Sequence, residues 1–174
     1  CYSGEGPETC ADGADIALNT FNCGGTATGL QQPQNNGVAQ TIRMHGNLFH
    51  DCVDGPGGDD VSFESYASIM DITYMYNSNY RPGGTATLPT TLFDTYSASE
   101  NLLNTDHLLT NPAGGDLTLQ AGSPALDYVD VAPPWIADFL SRYPSSMTDS
   151  VVKDRAGTVR PVNSLYDIGA FERP

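Results

Sequence analysis

Positive charge is scarce in this sequence: seven Lys and Arg stand against 21 Asp and Glu, a formal net charge of −14 over 174 residues. A surface of that sign repels phosphate backbones and anionic lipid headgroups, so nucleic acid is not an expected partner. Long apolar runs are missing too, which excludes a transmembrane helix, and no charged and apolar leader or initiating Met opens the chain, as expected of a processed product. There is no N-x-S/T sequon. Cysteine does not occur after residue 52, and Cys1, Cys10, Cys23 and Cys52 form neither CxxC nor CxxCH. An even count without metal-type spacing implies two disulfides and an oxidising, extracellular or cell-surface location. The length suits one domain with a real core.

What the sequence does contain is a weak repeat. Asp15-Ile16-Ala17-Leu18-Asn19-Thr20-Phe21-Asn22 matches Arg43-Met44-His45-Gly46-Asn47-Leu48-Phe49-His50 at a 28-residue offset, pairing Asn19 with Asn47 and Phe21 with Phe49. A looser copy, Ser68 to Asn77, follows about one interval later. Each copy spaces apolar residues by two, as in Ile16 and Leu18, Ile42 and Met44, and Ile72, Tyr74 and Tyr76, which is the signature of a half-buried strand. Clusters such as Cys23-Gly24-Gly25, Gln34-Asn35-Asn36-Gly37 and Asp54-Gly55-Pro56-Gly57-Gly58 supply turns between the copies.

Short strands, turns and a coil-length period point to an all-β fold: a short right-handed parallel β-helix, or solenoid, with an irregular C-terminal closing segment and one short helix. Residues 1–107 are read as coils with an N-terminal disulfide loop and 108–174 as the closing segment of the same domain. Equivalent asparagines in successive coils should hydrogen-bond to one another. The same register brings Cys23 near Cys52 and leaves Cys1 with Cys10. The helix opens at Pro134 and is expected to place Trp135, Phe139 and Leu140 on one side, covering an end or side of the stack.

Three motifs lie in order downstream of Leu108: Asn111-Pro112-Ala113-Gly114-Gly115-Asp116 running on to Gly122-Ser123-Pro124-Ala125-Leu126-Asp127, then Asp154-Arg155-Ala156-Gly157-Thr158-Val159-Arg160-Pro161, then Asp167-Ile168-Gly169-Ala170-Phe171-Glu172. This stretch resembles the C-terminal part of pectate-lyase-like right-handed parallel β-helix surface proteins, of the kind called choice-of-anchor Q domain proteins. The resemblance implies a bacterial secreted or surface protein and supplies no catalytic residue. Asp154, Arg155, Gly157, Arg160, Asp167, Gly169 and Glu172 are read as structural, with the glycines at tight turns and the charged residues in a compact network.

Enzymes resembling this fold use Ca²⁺-binding carboxylates beside a basic residue. The nearest set here is Asp51, Asp54, Asp59 and Asp60 in a glycine-rich loop, a candidate calcium site, with Arg43 the one cation on a clear coil strand. No other cofactor is called for. His45, His50 and His107 share no HxH or HExxH spacing, so a metal is not expected there; no GxSxG elbow marks a nucleophile. Tyr66, Tyr74, Tyr76 and Tyr80 fit core and rim packing, with a sugar-binding face as the alternative. No catalytic residue is assigned. The reading is an extracellular structural or adhesive surface protein that self-associates through its coil ends, as a filament subunit does. The alternatives are a C-terminal fragment of a polysaccharide lyase or glycoside hydrolase, or a non-catalytic carbohydrate-binding module with polysaccharide as partner.

Overall fold

The computed structural model describes residues 14–25, 30–32, 40–52, 61–63, 70–86, 95–129, 134–143 and 149–173. Strands dominate, and most pair in parallel. One four-stranded sheet has the order β1 (Ala14–Ala17), β4 (Gln40–His45), β7 (Met70–Met75), β9 (Thr95–Ser99). A second runs β2 (Thr20–Asn22), β5 (Leu48–His50), β8 (Ser78–Tyr80), β10 (Leu102–Leu103). A third parallel pair joins β3 (Leu30–Gln32) to β6 (Val61–Phe63). The 28-residue register holds for the first step, Ile16 opposite Met44, but not beyond it. Met44 faces Tyr74 across 30 residues, and Tyr74 faces Ala98 across 24. The interval varies because residues are added or lost between strands while the corners stay aligned.

Those corners explain the alignment. Leu18, Gly46, Tyr76 and Glu100 all have φ between 54° and 64°, and each is followed by asparagine: Asn19, Asn47, Asn77 and Asn101. A left-handed residue turns the chain from the first sheet into the second, and it costs a residue other than glycine about 1–2 kcal/mol. The bend also removes backbone groups from the strand ladders, and the asparagines satisfy them. The N–H groups of Asn19, Asn47 and Asn77 donate to Oδ1 of Asn47, Asn77 and Asn101 at 3.1, 2.9 and 2.8 Å. In the other direction Nδ2 of Asn47, Asn77 and Asn101 donates to the carbonyls of Ile16, Met44 and Tyr74, each at 2.8 Å. The expected contact between Asn19 and Asn47 is therefore part of a four-member ladder.

A first core lies between the two sheets, built from Ile42, Met44, Phe49, Cys52 and Tyr74, with Ile16, Phe21 and Cys23 packed against it. Phe21 stacks on Phe49 with centroids 4.8 Å apart. In the next coil Asn79 takes the phenylalanine position, and Tyr74 grows into the space from the opposite sheet, its hydroxyl 2.7 Å from Asn79 Oδ1. The Cys23–Cys52 disulfide, with Cα atoms 4.7 Å apart, ties the first coil to the second as its register requires. Cys1 and Cys10 lie outside the described residues.

A second core shows that, of the end or side expected to be covered, it is the side that the closing segment covers. Leu18 and Leu48 pack with Leu109, Leu119, Ala125, Val129, Ile136, Phe139, Val151, Tyr166 and Ile168, while Tyr76 and Leu102 join from later coils. The segment thus packs against residues at or beside each of the four asparagine corners. It contains an antiparallel hairpin, β11 (Leu109–Asn111) with β12 (Asp116–Leu119), and two helices, α1 (Pro134–Arg142) and the single turn α2 (Asp149–Val152). Flank cover explains why β5 is buried on both faces and why Leu18 is buried at its corner. In α1 the buried stripe is Ile136 and Phe139, continued by Tyr143, whose ring lies 4.7 Å from Phe139; Leu140 is exposed, and the Trp135 side chain lies outside the described residues. Of the residues expected on that side, Phe139 is buried and Leu140 is not, and the described stripe follows i, i+3, i+7 from residue 136.

The ladder predicts unequal costs along its length. Asn47→Ala leaves buried donors and acceptors unmatched on both sides and should lose about 3 kcal/mol, whereas Asn19→Ala, at the half-buried end, should lose roughly 1 kcal/mol. Urea denaturation of the two variants checks this; equal losses would contradict the ladder as a structural axis.

Candidate functional site

The closing segment gathers its motif residues around one buried ion pair. Arg160 and Glu172 have side chains about 1% exposed, with Nε and Oε2 3.8 Å apart. Arg160 Nη2 donates to the Gly169 carbonyl at 2.9 Å. Glu172 Oε1 accepts from the Val162 N–H at 3.1 Å, and its own N–H donates to Asp154 Oδ2 at 3.0 Å. Asp154 Oδ1 accepts from the Thr158 N–H at 2.6 Å, closing the turn in which Gly157 sits at φ 90°. Asp167 accepts from the N–H groups of Asp127 and Arg173, both at 2.7 Å. Gly169, at φ 103°, lies so close to the first coils that a Cβ would meet Thr20 Oγ1 at 2.6 Å and Leu48 Cβ at 3.3 Å. Its N–H donates to the Gly46 carbonyl at 2.8 Å. Arg155 differs from the others: its side chain is exposed, and it joins through its N–H, 2.9 Å from the Ala170 carbonyl.

Burial pushes the Glu172 carboxyl up to about 7 and raises Asp167 as well. Burial would raise Asp154 too, but the N–H groups of Glu172 and Thr158 outweigh it and hold the carboxyl below its usual range. Beside this network, Leu18, Asn19, Lys153, Asp154, Arg155, Gly157 and Arg160 line an open pocket of about 520 Å³. Three of the seven cationic residues of an acidic chain meet there. Nothing in residue spacing signals this, because Lys153 and Arg155 join Asn19 only once the closing segment lies along the flank.

The other candidates disperse. Asp51 occupies a left-handed corner with φ 51°, near Gly25, while Asp54, Asp59 and Asp60 lie outside the described residues. Among the described residues, no group of three or more His, Cys, Asp or Glu is arranged to hold a metal ion. Arg43 sits 3.8 Å from Asp15, its register partner on the adjoining strand, and Asp15 also accepts from the Tyr143 hydroxyl at 2.6 Å, which fastens the end of α1 to the first coil. Tyr74 is core, Tyr76 packs under the closing segment, and Tyr66 lies outside the described residues, so these tyrosines do not form a common face. His45 ends β4 and His50 ends β5, with the Gly46-Asn47 corner between them, so they belong to different sheets. No described helix is long and apolar enough to cross a membrane. No protein-family model, curated protein or solved structure matches the chain.

Arg160→Ala strips Glu172 of its counter-charge in a buried setting and should cost about 3–5 kcal/mol, read as a large fall in melting temperature. The raised Glu172 pKa adds a pH signature. Between its ordinary value of 4.5 and about 7 the folded chain holds a proton that the unfolded chain releases, so this group's contribution to stability falls as pH rises through that window. Melting temperatures from pH 4.5 to 8 should show the wild type losing stability relative to Glu172→Gln as pH rises; parallel profiles would contradict the assignment.

Proposed function

We propose that the chain is a short right-handed parallel β-helix acting as an extracellular structural or adhesive protein, and that copies join head to tail through their coil ends. Right-handedness follows from the strong preference of parallel crossovers for that hand. The observation that carries the assembly is the polarity of the asparagine ladder. Each corner donates its N–H to the Oδ1 of the next, so among the described residues Asn19 Oδ1 at one end accepts nothing and the Asn101 N–H at the other donates to nothing. Among the described residues the ladder thus ends in an acceptor on one side and a donor on the other. A heterologous contact of this kind continues indefinitely instead of closing on itself. Edge strands β1 and β9 add parallel partners that match the pairing already made inside the stack. The disulfide supports an oxidising, extracellular setting.

A second reading, a carbohydrate-binding module for an acidic polysaccharide, draws on the pocket where Lys153, Arg155 and Arg160 meet. Lys153 and Arg155 are exposed there, Arg160 being buried against Glu172, and the pocket's size suits a sugar unit.

Repulsion between copies carrying −14 each should suppress assembly at low ionic strength. Sedimentation velocity at 20 mM and 500 mM salt, roughly Debye lengths of 20 and 4 Å, should show association only at the higher concentration. Ser97→Lys, placing a charge in the edge strand β9, should weaken it about tenfold or more. A monomer at both salt concentrations overturns the proposal, and unaltered association of the lysine variant removes the coil end from it.

A further inference from the structure

Three rings meet on the flank of the second sheet. His50 and Tyr80 are register partners in β5 and β8, and His107 arrives from the connection between β10 and β11. The ring centroids are 5.8 Å apart for His50 and His107, 5.9 Å for His50 and Tyr80, and 5.7 Å for Tyr80 and His107. His107 is fully buried, and His50 is 7% exposed. Among the described residues, neither ring nitrogen of His107 has a hydrogen-bond partner, and Nδ1 of His50 has none. Three buried imidazole nitrogens are therefore unmatched within one small cluster. Each such atom costs about 1–3 kcal/mol, and buried polar atoms in folded proteins nearly always find a partner, an ordered ion included.

We propose that His50 and His107 are two ligands of a first-row transition-metal ion of the zinc or copper class, with Tyr80 beside it. The spacing suits this. Two imidazoles sharing one ion, with metal–nitrogen bonds of about 2.0–2.1 Å, have ring centroids roughly 5–6.5 Å apart. Imidazole nitrogen selects zinc and copper over calcium or magnesium, which take oxygen ligands. A metal takes the neutral imidazole, the form that burial favours. Solvent can complete the coordination on the His50 side, because His50 has the exposed surface that His107 lacks. Two protein nitrogens give weaker binding than a four-ligand structural site, with dissociation constants on the order of micromolar.

The site is independent of head-to-tail assembly, because it lies on the flank. Isothermal titration of the full chain at pH 7.5 with Zn²⁺, Cu²⁺ and Ca²⁺ should show one saturable site for zinc and for copper and none for calcium. Single substitutions His50→Gln and His107→Phe should each weaken zinc binding at least tenfold. Should His107→Phe fail to fold, ¹⁵N resonances of the histidine rings in the unaltered protein give the answer: zinc should shift His50 and His107 and leave His45 in place. Absence of saturable zinc and copper binding, full binding in either folded variant, or a shift confined to His45 would overturn the proposal.

Discussion

The structure depends on a hydrogen bond that a single coil cannot make. Turning a strand through a left-handed corner strips backbone groups of their ladder partners, and no residue within the same coil replaces all of them. Asparagine does so from the adjoining coil, because its amide carries an acceptor and a donor on one short side chain. Asn47 and Asn77 use both, so each corner is complete only when its neighbours are present. Stability then belongs to the paired sheets together and not to any one strand–corner–strand unit.

Two cores divide the remaining work. Between the sheets, stacked Phe21 and Phe49 give way to Asn79, and Tyr74 replaces the lost volume, so coils of different sequence pack at the same spacing. On the flank, residues that would face solvent in an uncovered stack, Leu48 and His50 among them, lie under the closing segment. The Arg160–Glu172 pair anchors that segment, and Gly169 lets it approach the first two coils closely enough for a backbone bond to Gly46.

The legible parts of the fold follow from periodicity. Alternating Ile42 and Met44 marked β4, and the matched Asn-x-Phe segments of the first two coils gave the register that places Cys23 against Cys52. Asn101 escaped notice because the interval shrinks to 24 residues there and no Phe follows it. Strands of three residues, such as β5 and β8, are too short to show a period, and burial of β5 on both faces erases the alternation that would have marked it. The motif residues after Asp154 could be named from the sequence, but the flank placement of their segment could not. Neither could the meeting of His50 with His107, since long-range packing brings together residues whose spacing carries no signal.

Amide hydrogen exchange at the four corners tests the ladder and its continuation between copies together. The amides of Asn47 and Asn77, donated to the next Oδ1, should exchange only through global unfolding, whereas the Asn101 amide should exchange freely in the monomer. At a salt concentration where copies associate, Asn101 should become protected to the level of Asn77. Rapid exchange at Asn47 and Asn77 would contradict the ladder, and an Asn101 amide that stays unprotected in the associated state would contradict its extension from one chain to the next.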